Sequence, residues 1–262
     1  MDRMMKQSSP GGDVPFLVIK DLTVKRGTRV ILNSVNISLN RGETLVVMGL
    51  SGMGKSTLVK CIIGLLKPDG GEIFIEGEQI LGLKERELNR FRKKLGMVFQ
   101  SPALFDSLTI LENVAFGLRE HTKLSEEEIR REVAEKLAIV DLAGTENMFP
   151  SQLSGGMQKR ASIARAVVTS PELIMYDEPT SGLDPIMSNV INNLVNNLKK
   201  TFNVTSIVVT HDLSSAYSIG DKIVMLHDGV FIDACGAEEF KNSKNPITRQ
   251  FIEGNPVGPI RL

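Results

Sequence analysis

The clearest signal along the chain is a change of hydrophobic period. In VILNSVNISLN, Val35, Ile37 and Leu39 alternate with Asn36, Ser38 and Asn40, the two-residue repeat of a strand with one buried face. TLVVMG that follows is a continuous apolar run ending in glycine, which predicts a strand buried on both faces. A helix is expected from Lys55 to about Leu66, then turn residues and another strand, EIFIEG.

Between about Ser101 and Pro150 the period becomes helical. In SEEEIRREVAEKLAIV, Ser125 and Glu128 form a capping box, and Ile129, Val133, Leu137 and Val140 fall on one helical face. Glu127/Arg131 and Glu132/Lys136 are four-residue pairs expected on the solvated side. Strand–helix alternation then resumes with ELIMYDE, a helix around Ser188 to Lys199, and TSIVVTHD. KIVMLHDGVFIDACG reads as a hairpin turning at Asp228-Gly229. From about Gly236 two short helical pieces are expected, one capped by Asn245 with Pro246 in its first turn, and NPVGPIRL at the end reads as too proline-rich for core. This alternation predicts an α/β fold with a largely parallel sheet, an antiparallel β section and a helical insertion. The expected division is a disordered lead-in over 1–15, a main domain over 16–235 with its helical part at about 101–165, and a tail over 236–262.

Composition narrows the class. At 262 residues the chain can bury a large core, and Lys+Arg and Asp+Glu both total 31, so it lacks the basic excess of a general nucleic-acid binder. No apolar run approaches the roughly 18–20 residues that cross a bilayer, and MDRMMKQSSPGGDVP has charges where a signal peptide is apolar. A membrane role would therefore go through a partner, with no direct insertion. Cys61 and Cys235 have no metal-ligand or CxxC spacing and read as reduced core residues of a cytosolic protein.

GLSGMGKST, residues 49–57, carries the chemistry: it matches G-x-x-x-x-G-K-[ST] between a buried strand and a helix. Gly49, Gly52 and Gly54 let backbone N–H groups turn toward phosphate oxygens; Lys55 would reach the β- and γ-phosphates and the Ser56 hydroxyl would ligate Mg²⁺. Ser51 and Thr57 complete this phosphate-binding set. Asp177 ends the apolar strand LIMYDEP, where a carboxylate can hold Mg²⁺, and Glu178 is placed as base for an attacking water. The chain reads as an NTPase. QLSGGMQKR, with Gly155 and Gly156 behind Ser154 at a helix start, is a second anion cradle that one active site does not explain.

The order P-loop, Gln100, LSGGM, LIMYDEP, SGLD and His211 resembles the nucleotide-binding domain of ABC (ATP-binding cassette) ATPases over about residues 16–235. The resemblance implies an ATPase that pairs head to tail, with Ser154, Gly155 and Gly156 contacting the γ-phosphate held by the Lys55 of a second copy. It also implies Gln100 as the Q-loop glutamine contacting Mg²⁺ or the attacking water, Asp184 as the aspartate linking the two sites, and His211 as the switch histidine. His121 and His227 lack such context and read as surface or turn residues. Two positions depart from the family pattern: Met157 replaces the usual glutamine, and Arg26 stands where an aromatic stacks on adenine. A guanidinium can also stack on a purine.

QSPALFDSLTILENVAFGLREHTKLSEEE and the QFIEGNPVGPI tail resemble the Mla/Mce-type ATPases of phospholipid trafficking. That resemblance implies two copies beneath an integral membrane permease, at the cytoplasmic face of the inner membrane, with an MCE-type lipid-binding protein beyond. Phe105 and Leu108 would then line the groove for the permease, and the tail would reach the other copy. Two alternatives stay open: a transporter cassette for another cargo, and a regulatory cassette of a cell-envelope assembly that transports nothing.

Overall fold

A computed structural model describes residues 14–261, so most of the 1–15 lead-in lies outside the described residues. Two sheets organise the chain. The first is antiparallel, in the order β2-β1-β4-β5, from β1 (Leu17–Arg26), β2 (Arg29–Leu39), β4 (Gly70–Ile75) and β5 (Glu78–Gln79). The second runs β10-β9-β3-β8-β7-β6, from β3 (Thr44–Met48), β6 (Leu95–Val98), β7 (Leu173–Asp177), β8 (Thr205–Val209), β9 (Lys222–His227) and β10 (Val230–Cys235). Its pairings are parallel except that between β9 and β10.

Burial on both faces of β3 explains its unbroken apolar run. Leu45 and Val47 point into a core shared with the antiparallel sheet, where they meet Leu17, Leu32 and Leu39. Val46 and Met48 point the other way, into a core shared with Val114, Val133 and Ile163 of the helical region. After α2 (Glu85–Arg92), which leads into β6, that region comprises α3 (Ile110–His121), α4 (Glu126–Ile139) and α5 (Gly155–Val167). α4 opens on the expected box: the Ser125 Oγ accepts from the Glu128 N–H while Glu128 accepts from the Ser125 N–H.

Element ends follow local chemistry. α1 (Lys55–Ile62) stops four residues short of the expected Leu66 because Gly64, at φ 69°, takes the left-handed conformation. The Gly64 and Leu65 N–H groups then bond the Cys61 and Lys60 carbonyls, a Schellman closure. α6 (Pro185–Phe202) starts before Ser188 because Asp184 caps it and Pro185 fits its first turn. The hairpin turns at Asp228 (φ 45°) and Gly229 (φ 78°), both left-handed as a two-residue I′ turn requires.

Several surface assignments are corrected. Lys136 is buried with its stem in the core, nearer Glu135 (2.9 Å) than Glu132 (3.9 Å), and Glu127 and Arg131 form no ion pair. His227 is buried at the end of β9, because the strand is central to the sheet up to its turn. Cys61 is buried and Cys235 only half-buried; both are free thiols.

The tail holds the two helices α8 (Ala237–Lys241) and α9 (Pro246–Glu253), the second capped by Asn245. Its proline-rich end is not wholly outside the core: Ile260 is 5% exposed and packs into the helical-side core. The Gln250 side chain pins it, accepting from the Ile260 N–H at 2.6 Å and donating to the Ile260 and Asn255 carbonyls.

Candidate functional site

A cavity of about 480 Å³ opens where the parallel strands end, the place at which open α/β sheets bind ligands. The turn from β3 into α1 forms its floor. Gly49 is obligatory there: at φ 144°, a Cβ would sit 2.4 Å from the Leu226 carbonyl oxygen. Ser51, Gly52, Gly54, Lys55, Ser56 and Thr57 all line the cavity, whereas Gly49 lies behind it. The Lys55 ammonium donates to the Gly49 and Leu50 carbonyls at 2.7 and 3.0 Å. Burial lowers its proton affinity, partly offset by Glu178 and Asp177. A lysine held this way is a cation poised at the N-terminus of a helix, where free N–H groups add to the pull on an anion.

Asp177 and Glu178 reach the same cavity from the end of β7. Burial and then the neighbouring Glu178 raise the Asp177 pKa, and among the described residues Asp177 makes no ion pair. Glu178 adopts a left-handed φ of 50° while its N–H donates to the Val209 carbonyl. That turn aims its carboxylate at His211, whose Nδ1 is 2.9 Å away. The next residue, Asp212, caps α7 (Leu213–Ile219). Gln100, just beyond β6, lines the cavity too, with its Nε2 3.5 Å from the Ser181 Oγ.

The donor set fits Mg²⁺. It offers a hydroxyl (Ser56), an amide oxygen (Gln100) and a half-buried carboxylate that makes no ion pair among the described residues (Asp177), all hard oxygens, and Mg²⁺ takes few protein ligands when phosphates supply the rest.

Four expected residues lie elsewhere. Ser154, Gly155, Gly156 and Asp184 do not line this cavity. Ser154 caps α5 through the Met157 N–H and, like Gly155, is exposed. Gly156 packs so closely on α6 that a Cβ would come 2.6 Å from the Met187 Cε. Asp184 caps α6, accepting from Ile186 and Met187 N–H groups at 2.9 and 3.0 Å. One chain thus presents a complete phosphate floor and, apart from it, a bare helix N-terminus.

Two residues were missed by the sequence reading. Lys159, 5% exposed on α5, donates to the Gln100 carbonyl at 2.5 Å and the Glu178 carbonyl at 3.4 Å, tying two walls of the cavity together. Arg29 lines the cavity beside Arg26 and Ile31.

The sequence profile of the ABC transporter family matches residues 32–181. The chain belongs to the ABC transporter family. It is the family's ATP-binding cassette, an ATPase. The dimeric ATP-binding cassette MJ0796, solved in a post-hydrolysis state with ADP and Pi, superposes with a TM-score of 0.77 at 36% identity, over 84% of this chain and 98% of that one. Among curated ABC relatives, the intermembrane phospholipid transport system ATP-binding protein MlaF of Haemophilus influenzae is 45% identical over 94% of each chain. The probable ribonucleotide transport ATP-binding protein mkl of Mycobacterium tuberculosis is 41% identical, over 93% of this chain and 68% of its own.

Proposed function

We propose that this cassette pairs head to tail with a second copy beneath an integral membrane permease and powers phospholipid transport between envelope membranes. The observation that carries the cargo is the 45% identity to MlaF along 94% of both chains. No described helix is long and apolar enough to cross a membrane. We place the protein peripherally at the cytoplasmic face of the inner membrane, with an MCE-type lipid-binding protein on the far side of the permease.

The chemistry is hydrolysis of the ATP γ-phosphate. Backbone N–H groups from Gly52 to Thr57 and the Lys55 ammonium hold the phosphates; Ser154, Gly155 and Gly156 of the second copy add donors from the opposite side. Ser56, Asp177 and Gln100 would hold Mg²⁺, which would supply positive charge to offset that of the phosphates. Glu178 takes a proton from the attacking water as its oxygen bonds to phosphorus, and the bond to the ADP oxygen breaks. His211, already on the Glu178 carboxylate, orients that water. Positioning and charge carry such a transfer without a covalent intermediate. Shared ATP holds the pair shut and its cleavage lets the pair open, which the permease reads as motion. Asp184, fixed as the cap of α6, links the two sites.

Phe105 and Phe116 pack with ring centroids 5.2 Å apart and planes tilted by 41°, and both, like Phe99, are nearly half exposed. This exposed aromatic pair, with Phe99 beside Gln100 in the chain, is suited to receive a permease helix and pass its movement to the site.

A second reading has its own support: the 41% identity to a protein named for ribonucleotide transport favours another cargo for the same engine. Affinity purification from detergent-solubilised native membranes tests both. Co-purification of a permease, an MCE-type protein and phospholipid supports the first reading. A permease without MCE protein or lipid overturns that cargo and leaves the ATPase standing.

A further inference from the structure

α5 faces two places. Its N-terminus, capped by Ser154, is the exposed anion cradle that stands apart from this chain's phosphate floor. Five residues on, about 7.5 Å along the axis, Lys159 turns inward and is 5% exposed. Its ammonium makes no ion pair among the described residues; it donates to the main-chain carbonyls of Gln100 and Glu178. A charge taken out of water without a charged partner is costly. Burial lowers the proton affinity of Lys159, and the carboxylates of Glu178 and then Asp177 oppose that, so its charge faces the acid pair from α5 while Lys55 faces it from the floor.

The backbone that this ammonium holds is strained. Glu178 is left-handed at φ 50°, which a residue with a side chain keeps only where its surroundings fix it. Its N–H donates to the Val209 carbonyl at 2.8 Å, and its own carbonyl accepts from the Ser181 N–H at 3.1 Å and from Lys159. The shorter bond, to the Gln100 carbonyl at 2.5 Å, fixes the segment carrying Gln100 to the same ammonium.

We propose that Lys159 is a positioning residue for hydrolysis in its own chain's site, setting the Glu178 carboxylate and the Gln100 amide against one γ-phosphate. One helix then serves the second copy's ATP through Ser154 and its own chain's ATP through Lys159. This role deepens the head-to-tail ATPase reading and rests on it. Lys159 does not line the cavity, so its loss belongs in turnover rather than in binding.

Lys159→Met keeps the stem and removes the donors. Because a misplacement of about 1 Å costs about 10²-fold, turnover should fall at least about tenfold while ATP affinity, by equilibrium titration, stays within about threefold of native. Mixing tells which site the residue serves. With Ser154→Arg, one composite site of each mixed pair has both defects and the other none, so an equal mixture should recover about a quarter of native turnover if pairing is random. With Lys55→Ala each composite site carries one defect, and nothing beyond the residual rate should return. Lys159→Gln, which keeps a donor at shorter reach, should repeat the pattern even where methionine unsettles α5. Recovery with Lys55→Ala would assign Lys159 to the second copy's site, and recovery with neither partner would make it a prop for the fold; either overturns the proposal, as does native turnover in both variants. A control mixture of Lys55→Ala with Ser154→Arg that recovers nothing would sink the paired-site reading instead. The split between turnover and ATP binding would then uphold or overturn the role of Lys159.

Discussion

The His211 Nδ1 lies 2.9 Å from the Glu178 carboxylate, with the histidine side chain 62% exposed and the glutamate 12%. The carboxylate is thus held from one side and open to the cavity on the other, the posture of a base waiting for water. Glu178→Gln should leave ATP binding intact and lower turnover by about 10²- to 10⁴-fold, the usual contribution of a positioned base. Because the two residues act as a unit, His211→Ala in the Glu178→Gln background should cost little more. A double-mutant cycle on turnover checks this, and additive losses would separate their roles.

Asp177 gives an opposite sign for activity and stability. Its folded pKa is raised, so its contribution favours folding below the ordinary carboxylate range and is lost as pH rises through the raised value. Asp177→Asn should therefore be more stable than the native protein at neutral pH, by about 1 kcal/mol or less given its partial exposure, and lose that advantage at acid pH. Hydrolysis supported by Mg²⁺ should nearly vanish. Melting temperatures across pH, beside turnover, check both halves; a variant less stable at neutral pH would contradict the assignment.

Mixing distinguishes a head-to-tail pair from independent chains. Lys55→Ala spoils a phosphate floor, and Ser154→Arg spoils a helix N-terminus; each alone should be inactive. In a mixed pair one composite site has both defects and the other has none, so equal mixtures should recover about a quarter of native turnover if pairing is random. Failure to recover any activity would rule out sites shared in this way.

What the chain reveals by itself is what is decided over short distances. The P-loop was readable because strand, glycines and Lys55 are contiguous, and the Ser125 and Asn245 caps because each is settled within three residues. Lys159 was not, since its two acceptors lie 59 and 19 residues away and only the packing of α5 brings them together. Arg29 escaped notice for a related reason: the motif position was Arg26, and the hairpin register that opposes the two is not written in either residue. His227 and Ile260 looked like surface because turn and proline composition describes backbone habit, not what a neighbouring side chain such as Gln250 can hold in place.

The Gln250–Ile260 closure makes a stability prediction of its own. Ile260→Ala should cost about 2–4 kcal/mol, the range for emptying a buried isoleucine. Gln250→Ala, which strands the Ile260 N–H away from water, should also destabilise. Chemical denaturation of the full chain checks both, and near-native stability in both variants would mean that this segment does not fold onto its own chain in solution.

The helix N-terminus at Ser154 and the phosphate floor at Lys55 do not meet within one chain. In the proposed head-to-tail pair, half an enzyme on each face would turn ATP consumption into a count of encounters. A lone copy would then idle however much ATP surrounds it, and turnover per copy would climb as copies crowd together. The proposed permease, holding two copies side by side, would remove that dependence on crowding, so that fuel use would be gated first by assembly and only then by cargo.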